Sequence, residues 1–309
     1  MSSISSSFPG TGWFLNGLAN LQQQESQTQR ALSSGYQIND AADSPSQTPA
    51  LVQLGSSLAS VQAYQTNLTN VQAEASTADQ AIQTGITLIQ NAVSLAEQGA
   101  DTTSTSATRQ TIAGQLQSIQ QQLVSISNTT VQGRYIFGGS QDQSAPYQYD
   151  ASSPTGVDTL TSQTAGRVIV NTQGQSVYQG LTAQQIFGPV DSTGAPTANS
   201  TFAALQSLVT ALQSNDLTGI TNGLTSLQTA SGYVSQQQTY YGTAEDRLTN
   251  EQNTAANQAT ALQTQIGNIR NTNMAQAATD LTQESTDQSA ALGAESELAN
   301  SKTLFSYLG

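Results

Sequence analysis

The chain has 309 residues, a formal charge of −13 and only 9% charged residues, against roughly 25% in ordinary soluble domains. It contains no Cys and no His, which excludes disulfides, thiolate nucleophiles, Cys or His zinc sites, imidazole haem ligation and a Ser-His-Asp triad. Seven scattered cations, Arg30, Arg109, Arg134, Arg167, Arg247, Arg270 and Lys302, form no basic stripe for nucleic acid, and no run of about 18 apolar residues predicts a membrane span.

The first residues, MSSISSSFPGTGWFL, lack the basic start and sustained apolar run of a cleavable signal peptide. A thin helical seam follows at Phe14, Leu18, Leu21 and Leu32, with Glu25 and Thr28 at the intervening steps. Asn39, Asp40, Asp43, Ser44 and Pro45 predict a turn and cap between two helices. The next helix is expected to start at Thr48-Pro49, with Thr48 as N-cap, and to stop at Gly99. Its seam alternates steps of three and four through Leu51, Leu54, Leu58, Val61, Leu68, Ala75, Ile82, Ile86, Ile89, Val93 and Ala96. A second run is Ile112, Leu116, Ile119, Leu123 and Ile126.

Between about Val131 and Ser200 the heptads give way to Gly, Pro, Tyr and short alternating runs. Arg167–Val170 and Ser176–Tyr178, joined by Asn171–Gly174, predict a β-hairpin, and Tyr147 and Tyr149 predict a strand behind Pro146. The heptads return at Leu217, Ile220, Leu224, Leu227, Val234, Tyr241, Leu248, Ala255, Leu262, Ile266 and Ile269. The C-terminal seam is Met274, Leu281, Leu292, Leu298, Phe305 and Leu308, interrupted by Gln288 and Glu295. Both terminal helices are short of apolar anchors and suit segments that pack on a partner.

A helix of about 50 residues is about 75 Å long, whereas a compact chain of this size has a radius of gyration of about 19 Å. The expected fold is therefore mainly α: an elongated rod of long antiparallel coiled-coil helices from the N- and C-terminal parts, with a small β-rich insert at the far end. The expected division is 1–45 with 271–309 as terminal helices, 46–138 with 200–270 as helical rod, and 139–199 as insert. Breaks or bends are expected near some of Gly85, Gly223 and Gly232. The insert is expected to be removable, since shortening a connection changes closure entropy little.

Chemical motifs are sparse. Gly10-Thr-Gly12 with Gly17 has a misplaced third glycine and no preceding strand, so it is no dinucleotide fingerprint. Asp40 and Asp43 fit a turn better than a hydrolytic acid pair, Glu295 and Glu297 point in different directions on a helix, and Lys302 is close to a chain end. Sequons at Asn67 and Asn128 fall inside predicted helices. No catalytic residue, cofactor or metal is expected. The Gln-rich surface has two readings, compositional bias or a rod made to pack beside copies of itself without charge repulsion.

Three stretches resemble the flagellin family, in its hook–filament junction branch. Leu32-Ser33-Ser34-Gly35 leading to Asn39 through Pro45 is similar to the family's N-terminal pattern, with Asp43-Ser44 where two acids are usual. Gly133-Arg134-Tyr135-Ile136-Phe137-Gly138-Gly139, followed by Ala145-Pro146-Tyr147, resembles the stretch most particular to junction proteins. Ile269 through Met274 and Ala275 resembles the C-terminal box, with Asn271 and Asn273 in place of its acids, and Leu304–Leu308 resembles the closing aromatic-leucine segment. The resemblance implies a secreted structural subunit, exported unfolded through the flagellar type III apparatus without signal cleavage. Its partners would be hook-associated protein 1, flagellin, copies of itself in a ring, and an export chaperone. Leu18, Leu21, Leu32, Leu281, Leu292, Leu298 and Leu308 are the expected assembly contacts. A short flagellin, or a coiled-coil secretion-system tip or translocator protein, remains open as an alternative; the latter leaves Gly133–Gly139 unexplained.

Overall fold

The computed structural model describes residues 9–161, 166–171, 173–193 and 195–300, with side chains in the terminal helices from residue 12 and up to residue 297. The helices are α1 (Pro9–Ser34), α2 (Thr48–Ala100), α3 (Ser106–Ser127), α4 (Ala183–Phe187), α5 (Thr201–Gln213), α6 (Leu217–Arg270) and α7 (Met274–Asn300). Three antiparallel strand pairs lie between α3 and α4: β1 (Thr130–Val131) with β2 (Arg134–Tyr135), β3 (Tyr147–Tyr149) with β4 (Val157–Thr159), and β5 (Val168–Val170) with β6 (Ser176–Gln179). The fold is mainly α, as expected. It divides into two compact units, residues 1–60 with 258–309, and residues 61–257.

The larger unit is organised by a strict seven-residue repeat. In α2, Val61, Leu68, Ala75, Ile82, Ile89 and Ala96 are buried, and in α6 so are Ile220, Leu227, Val234, Tyr241, Leu248 and Ala255. Tyr64 donates to Glu251 at 3.0 Å, and the Gln83 and Gln238 amides meet at 2.5 Å. These two bridges set α2 and α6 antiparallel within the unit. Leu217, expected in the seam, is exposed, because it is the first residue of α6 and lies outside the packed turns.

No helix breaks at the interior glycines. α2 runs through Gly85 and α6 through Gly223 and Gly232. A Cβ at Gly85 would lie 3.1 Å from the Phe187 ring, and one at Gly223 would lie 2.7 Å from Leu208 Cγ, so these two glycines admit a crossing side chain. Gly99 acts similarly. A Cβ there would stand 2.5 Å from Leu212 Cδ2, so Gly99 is a packing site; the helix ends one residue on, at Ala100, within a residue of the expected stop, although no left-handed glycine cap makes it. The end of α2 is instead held by buried Arg109, whose Nε donates to Gly99 O at 2.8 Å and Nη2 to Asp101 O at 2.9 Å, a cation on the negative end of a helix. Thr48 also departs from expectation: its hydroxyl donates to Ser44 O at 2.8 Å and does not accept from the helix start.

The β5–β6 hairpin and the strand behind Pro146 fall where the pattern predicts them. The β1–β2 hairpin was not anticipated. Its two-residue turn has Gln132 at φ 53 and Gly133 at φ 77, the paired positive φ of a type I′ turn. Around these strands sits an aromatic core. The Phe137 and Phe187 rings meet edge-on at 6.4 Å, Tyr147 meets Phe202 at 5.0 Å, and Phe187 lies 6.3 Å from Phe202.

The segment from β6 to α4 is stitched to α6 by donors spaced seven apart. Tyr233 donates to Gln185 O at 2.8 Å, Tyr240 to Gln179 O at 2.6 Å and Arg247 to Ser176 O at 3.0 Å. Buried Tyr241 accepts from Leu181 N at 3.1 Å.

These contacts overturn the expectation that the insert is removable, because Tyr147, Tyr178 and Phe187 belong to the buried core. Replacing 140–199 by a linker should therefore lower the melting temperature and expose dye-binding apolar surface, as read by differential scanning fluorimetry. Phe187→Ala alone should cost about 3–5 kcal/mol in urea unfolding followed by circular dichroism.

Candidate functional site: the joint of the terminal helices

α1 ends where the backbone turns left-handed. Gly35 has φ 77 and its N–H donates to Ala31 O at 2.9 Å, the usual glycine C-terminal cap. Ser33 Oγ donates to Arg30 O at 3.0 Å, and Ser34 Oγ accepts from Tyr36 N at 3.1 Å, so both serines close the last turn.

The chain then pairs with a segment more than 230 positions away. Thr272 N donates to Gly35 O at 3.0 Å and Gln37 N to Arg270 O at 2.8 Å, forming a Tyr36–Asn271 bridge. Gln37 Nε2 donates to Ile269 O at 2.7 Å, satisfying a carbonyl at the end of α6. The Arg270 guanidinium lies 4.1 Å over the Tyr36 ring. Asn273 then starts α7, its Oδ1 accepting from Ala275 N and Gln276 N at 3.2 Å each. Two motifs singled out in sequence, Leu32–Gly35 and Asn271–Ala275, thus meet in one joint. Asn273 has the role of a neutral cap. Arg270 lies inside the C-terminal box, but neither its place over Tyr36 nor the roles of Tyr36 and Gln37 follow from the sequence, since nothing local signals a bridge of this range.

Asp43 orders the loop into α2. Its Oδ2 accepts from Asn39 N and Asp40 N, both at 2.9 Å, and Arg30 stands 3.8 Å from Oδ1. The backbone donors of Asp40 and Asn39 hold its carboxyl below the usual carboxylate range, with a smaller contribution from Arg30. Asp40 and Asp43 therefore make the expected turn.

α1 and α7 pack against each other. They run antiparallel, since Gly35 meets Thr272 and Thr28 Oγ1 donates to Glu284 Oε1 at 3.2 Å. Leu18, Leu21 and Leu32 are half-buried on α1, as is Leu281 on α7, while Ala31 and Ala277 are buried. Past Leu281 the seam continues through Glu284, Gln288 and Ala291, leaving Leu292 47% exposed. Met274 is also exposed, and Trp13 is 85% exposed on α1. The Leu298 side chain and Leu308 lie outside the described residues.

The Gly133–Gly139 motif belongs to the larger unit. Arg134 Nε donates to Asp142 Oδ2 at 2.8 Å, Tyr135 N donates to Asp142 O at 2.8 Å, and Phe137 is fully buried with its carbonyl accepting from Ala183 N at 2.9 Å. Gly139 has φ 62, and a Cβ on Gly138 would lie 3.0 Å from Asp142 Cα, so neither position tolerates a side chain without strain. Beside the motif, Arg134, Asp142, Glu74 and Arg167 line a cavity of about 40 Å³. Arg167 pairs with Glu74 at 3.0 Å. Burial pushes the Glu74 carboxyl up, opposed by Arg167, whereas hydrogen bonding from Gln143 and then Arg134 holds Asp142 down. The cavity is small, with room for no more than a few waters, and its charges are paired, which suits a structural cluster. Asn128, one of the sequons, is engaged by the fold: Nδ2 donates to Tyr147 O at 2.8 Å. Among the described residues no group of three or more metal-ligating acids occurs.

Residues 14–142 match the bacterial flagellin N-terminal helical region. The chain is also similar to flagellar hook-associated protein 3 of Escherichia coli strain K12 (23% identity) and of Salmonella typhimurium (24%), each over 203 residues and 64% of this chain. Those alignments span 63% of the relatives' own length. Among solved structures, the fold resembles a flagellar hook-associated protein of Vibrio parahaemolyticus, at TM-score 0.63 and 16% identity over 74% of this chain and 100% of that one. It also resembles the flagellar junction protein FlgL of Legionella pneumophila, at TM-score 0.55 and 12% identity over 71% and 100%. At these identities the structural likeness speaks for the fold.

Asp43 gives a pH-dependent readout. Its folded pKa is depressed, so its contribution is present above the unfolded value, roughly pH 4, and is lost as pH falls through the folded value. Hydrogen-exchange protection factors at the Asn39 and Asp40 amides, corrected for the intrinsic pH dependence of exchange, should be high at neutral pH and fall in acid, and Asp43→Ala should lower both at neutral pH. Gly138→Ala, whose methyl would press on Asp142 Cα, should destabilise the larger unit by about 1–3 kcal/mol, measured by urea denaturation.

Proposed function

We propose that this chain is a structural subunit of the bacterial flagellum, placed at the junction between hook and filament. The observation that carries the reading is its similarity to two proteins named hook-associated protein 3, together with the Gly133–Gly139 motif built into the core. In this reading the subunit is exported from the cell, forms a ring with copies of itself, and contacts hook-associated protein 1 on one side and flagellin on the other. An export chaperone precedes assembly. The role is mechanical, with no reaction, cofactor or nucleic acid: inner helices fit the filament lattice, and outer faces absorb the mismatch with a bending hook.

The proposed three-part division, 1–45 with 271–309, 46–138 with 200–270, and 139–199, assigns assembly to the terminal helices. Leu18, Leu21, Leu32 and Leu281 are half-buried between α1 and α7, so they act on the helix pair first. Exposed Leu292 is free to reach a partner. Leu292→Asp should therefore leave the monomer melting temperature unchanged and abolish incorporation into the junction, whereas Leu281→Asp should lower both.

A filament subunit is the competing assignment, because the matched region is named for flagellin. Mass spectrometry of hook-basal bodies with their filaments detached tests the choice. The junction reading expects the chain at ring stoichiometry on the hooks. Recovery of the chain along the length of detached filaments would overturn it.

A further inference from the structure

The α1–α7 seam carries its polar residues at matching levels. On α1 the non-exposed stripe is Phe14, Leu18, Leu21, Glu25, Thr28, then Ala31 and Leu32; on α7 it is Ala277, Leu281, Glu284, Gln288 and Ala291. The Thr28–Glu284 hydrogen bond fixes the level. Counting outward antiparallel from it places Glu25 opposite Gln288, Leu21 opposite Ala291 and Leu32 opposite Leu281. Apolar residues therefore face apolar ones, and a two-layer polar patch faces a two-layer polar patch.

The patch is chemically directional. A carboxylate only accepts hydrogen bonds, whereas a threonine hydroxyl can donate. Glu284 takes a donor from α1 through Oε1, and its Oε2 is buried with no hydrogen-bond partner. An apolar residue at this seam position would carry no such cost. A second α7 laid on this face in parallel register, the register that also brings position 291 to position 291, would bring another acceptor-only Glu284 to the same layer, flanked by Asp280 and Asp287. Thr28 of an α1-type face supplies the donor that such a parallel copy lacks, whereas an antiparallel α7 would offer the Gln288 amide instead.

We propose that the Thr28–Glu284 layer, extended by Glu25 and Gln288, is a partner-selecting device: it favours pairing of α7 with an α1 and rejects in-register parallel α7–α7 pairing between copies. A single polar layer of this kind is known to set partner and register in coiled coils at some cost in stability. The inference goes beyond the junction role and is read on purified protein, so it stands or fails independently of where the chain assembles.

The test uses the full-length protein, whose lack of cysteine makes one introduced thiol an unambiguous reporter. Ala291→Cys places that thiol in the seam of α7. Under mild oxidation at high protein concentration this parent should remain monomeric. Adding Glu284→Leu should raise the disulfide-linked dimer about tenfold, and Glu284→Gln, which can both donate and accept, should fall between. Circular dichroism verifies that each variant keeps its helix content, and the Gln variant serves if the Leu variant does not fold. Equal dimer in parent and variants would overturn the proposal, as would a parent that is already largely disulfide-linked with Glu284 in place.

Discussion

A helix whose buried side chains recur every seven residues can meet an antiparallel neighbour over many turns without its seam drifting away, and this constraint governs the larger unit. Val61 through Ala96 and Ile220 through Ala255 keep the interval without a slip. Other packing choices accommodate it. Where Phe187 and Leu208 press against the long helices, a glycine stands at position 85 or 223, because any Cβ would displace the seam. Where α2 must end, buried Arg109 takes its terminal carbonyls. The same periodicity on the flank of α6 delivers Tyr233, Tyr240 and Arg247 to the β6–α4 segment.

Cations are so scarce in this chain that the arginines act as individual fasteners. Arg109 binds main-chain carbonyls, Arg134 binds Asp142, Arg167 binds Glu74, and Arg270 covers Tyr36. Exposed ion pairs add little stability, but those fasteners that are sheltered or bind backbone replace hydrogen bonds that a helix end or loop would otherwise lack. The amide-rich surface follows the same economy of charge. Its side chains bridge neighbouring helices, as Gln83 and Gln238 do, without like-charge repulsion.

Long-period features were legible in the sequence and long-range ones were not. The seams of α2, α3 and α6 could be read because each seam residue predicts the next. The β5–β6 hairpin was visible because its strands and turn are adjacent. The start of the last seam at Leu217 coincides with the start of α6, but α5 was not anticipated as a separate helix; its separation from α6 depends on Asn215 at φ 56, held by Arg109. The seam of α7 was drawn through Leu292, but the three-four count from Leu281 reaches Ala291, and a large apolar residue beside a small one misled the reading. Both halves of the joint were recognised as motifs. Their union was not, because a bridge between Tyr36 and Asn271 leaves no periodic trace.

The stitching of the insert to α6 has a consequence for how the protein can vary. Tyr233, Tyr240 and Arg247 bind main-chain oxygens, and the side chains of Ser176 and Gln179, two of the residues whose oxygens they hold, face solvent. A backbone carbonyl is the same atom in every residue. Substitutions at positions 176 and 179 can therefore alter the outward face of the insert while its attachment stays intact, so surface identity and anchorage are free to evolve separately.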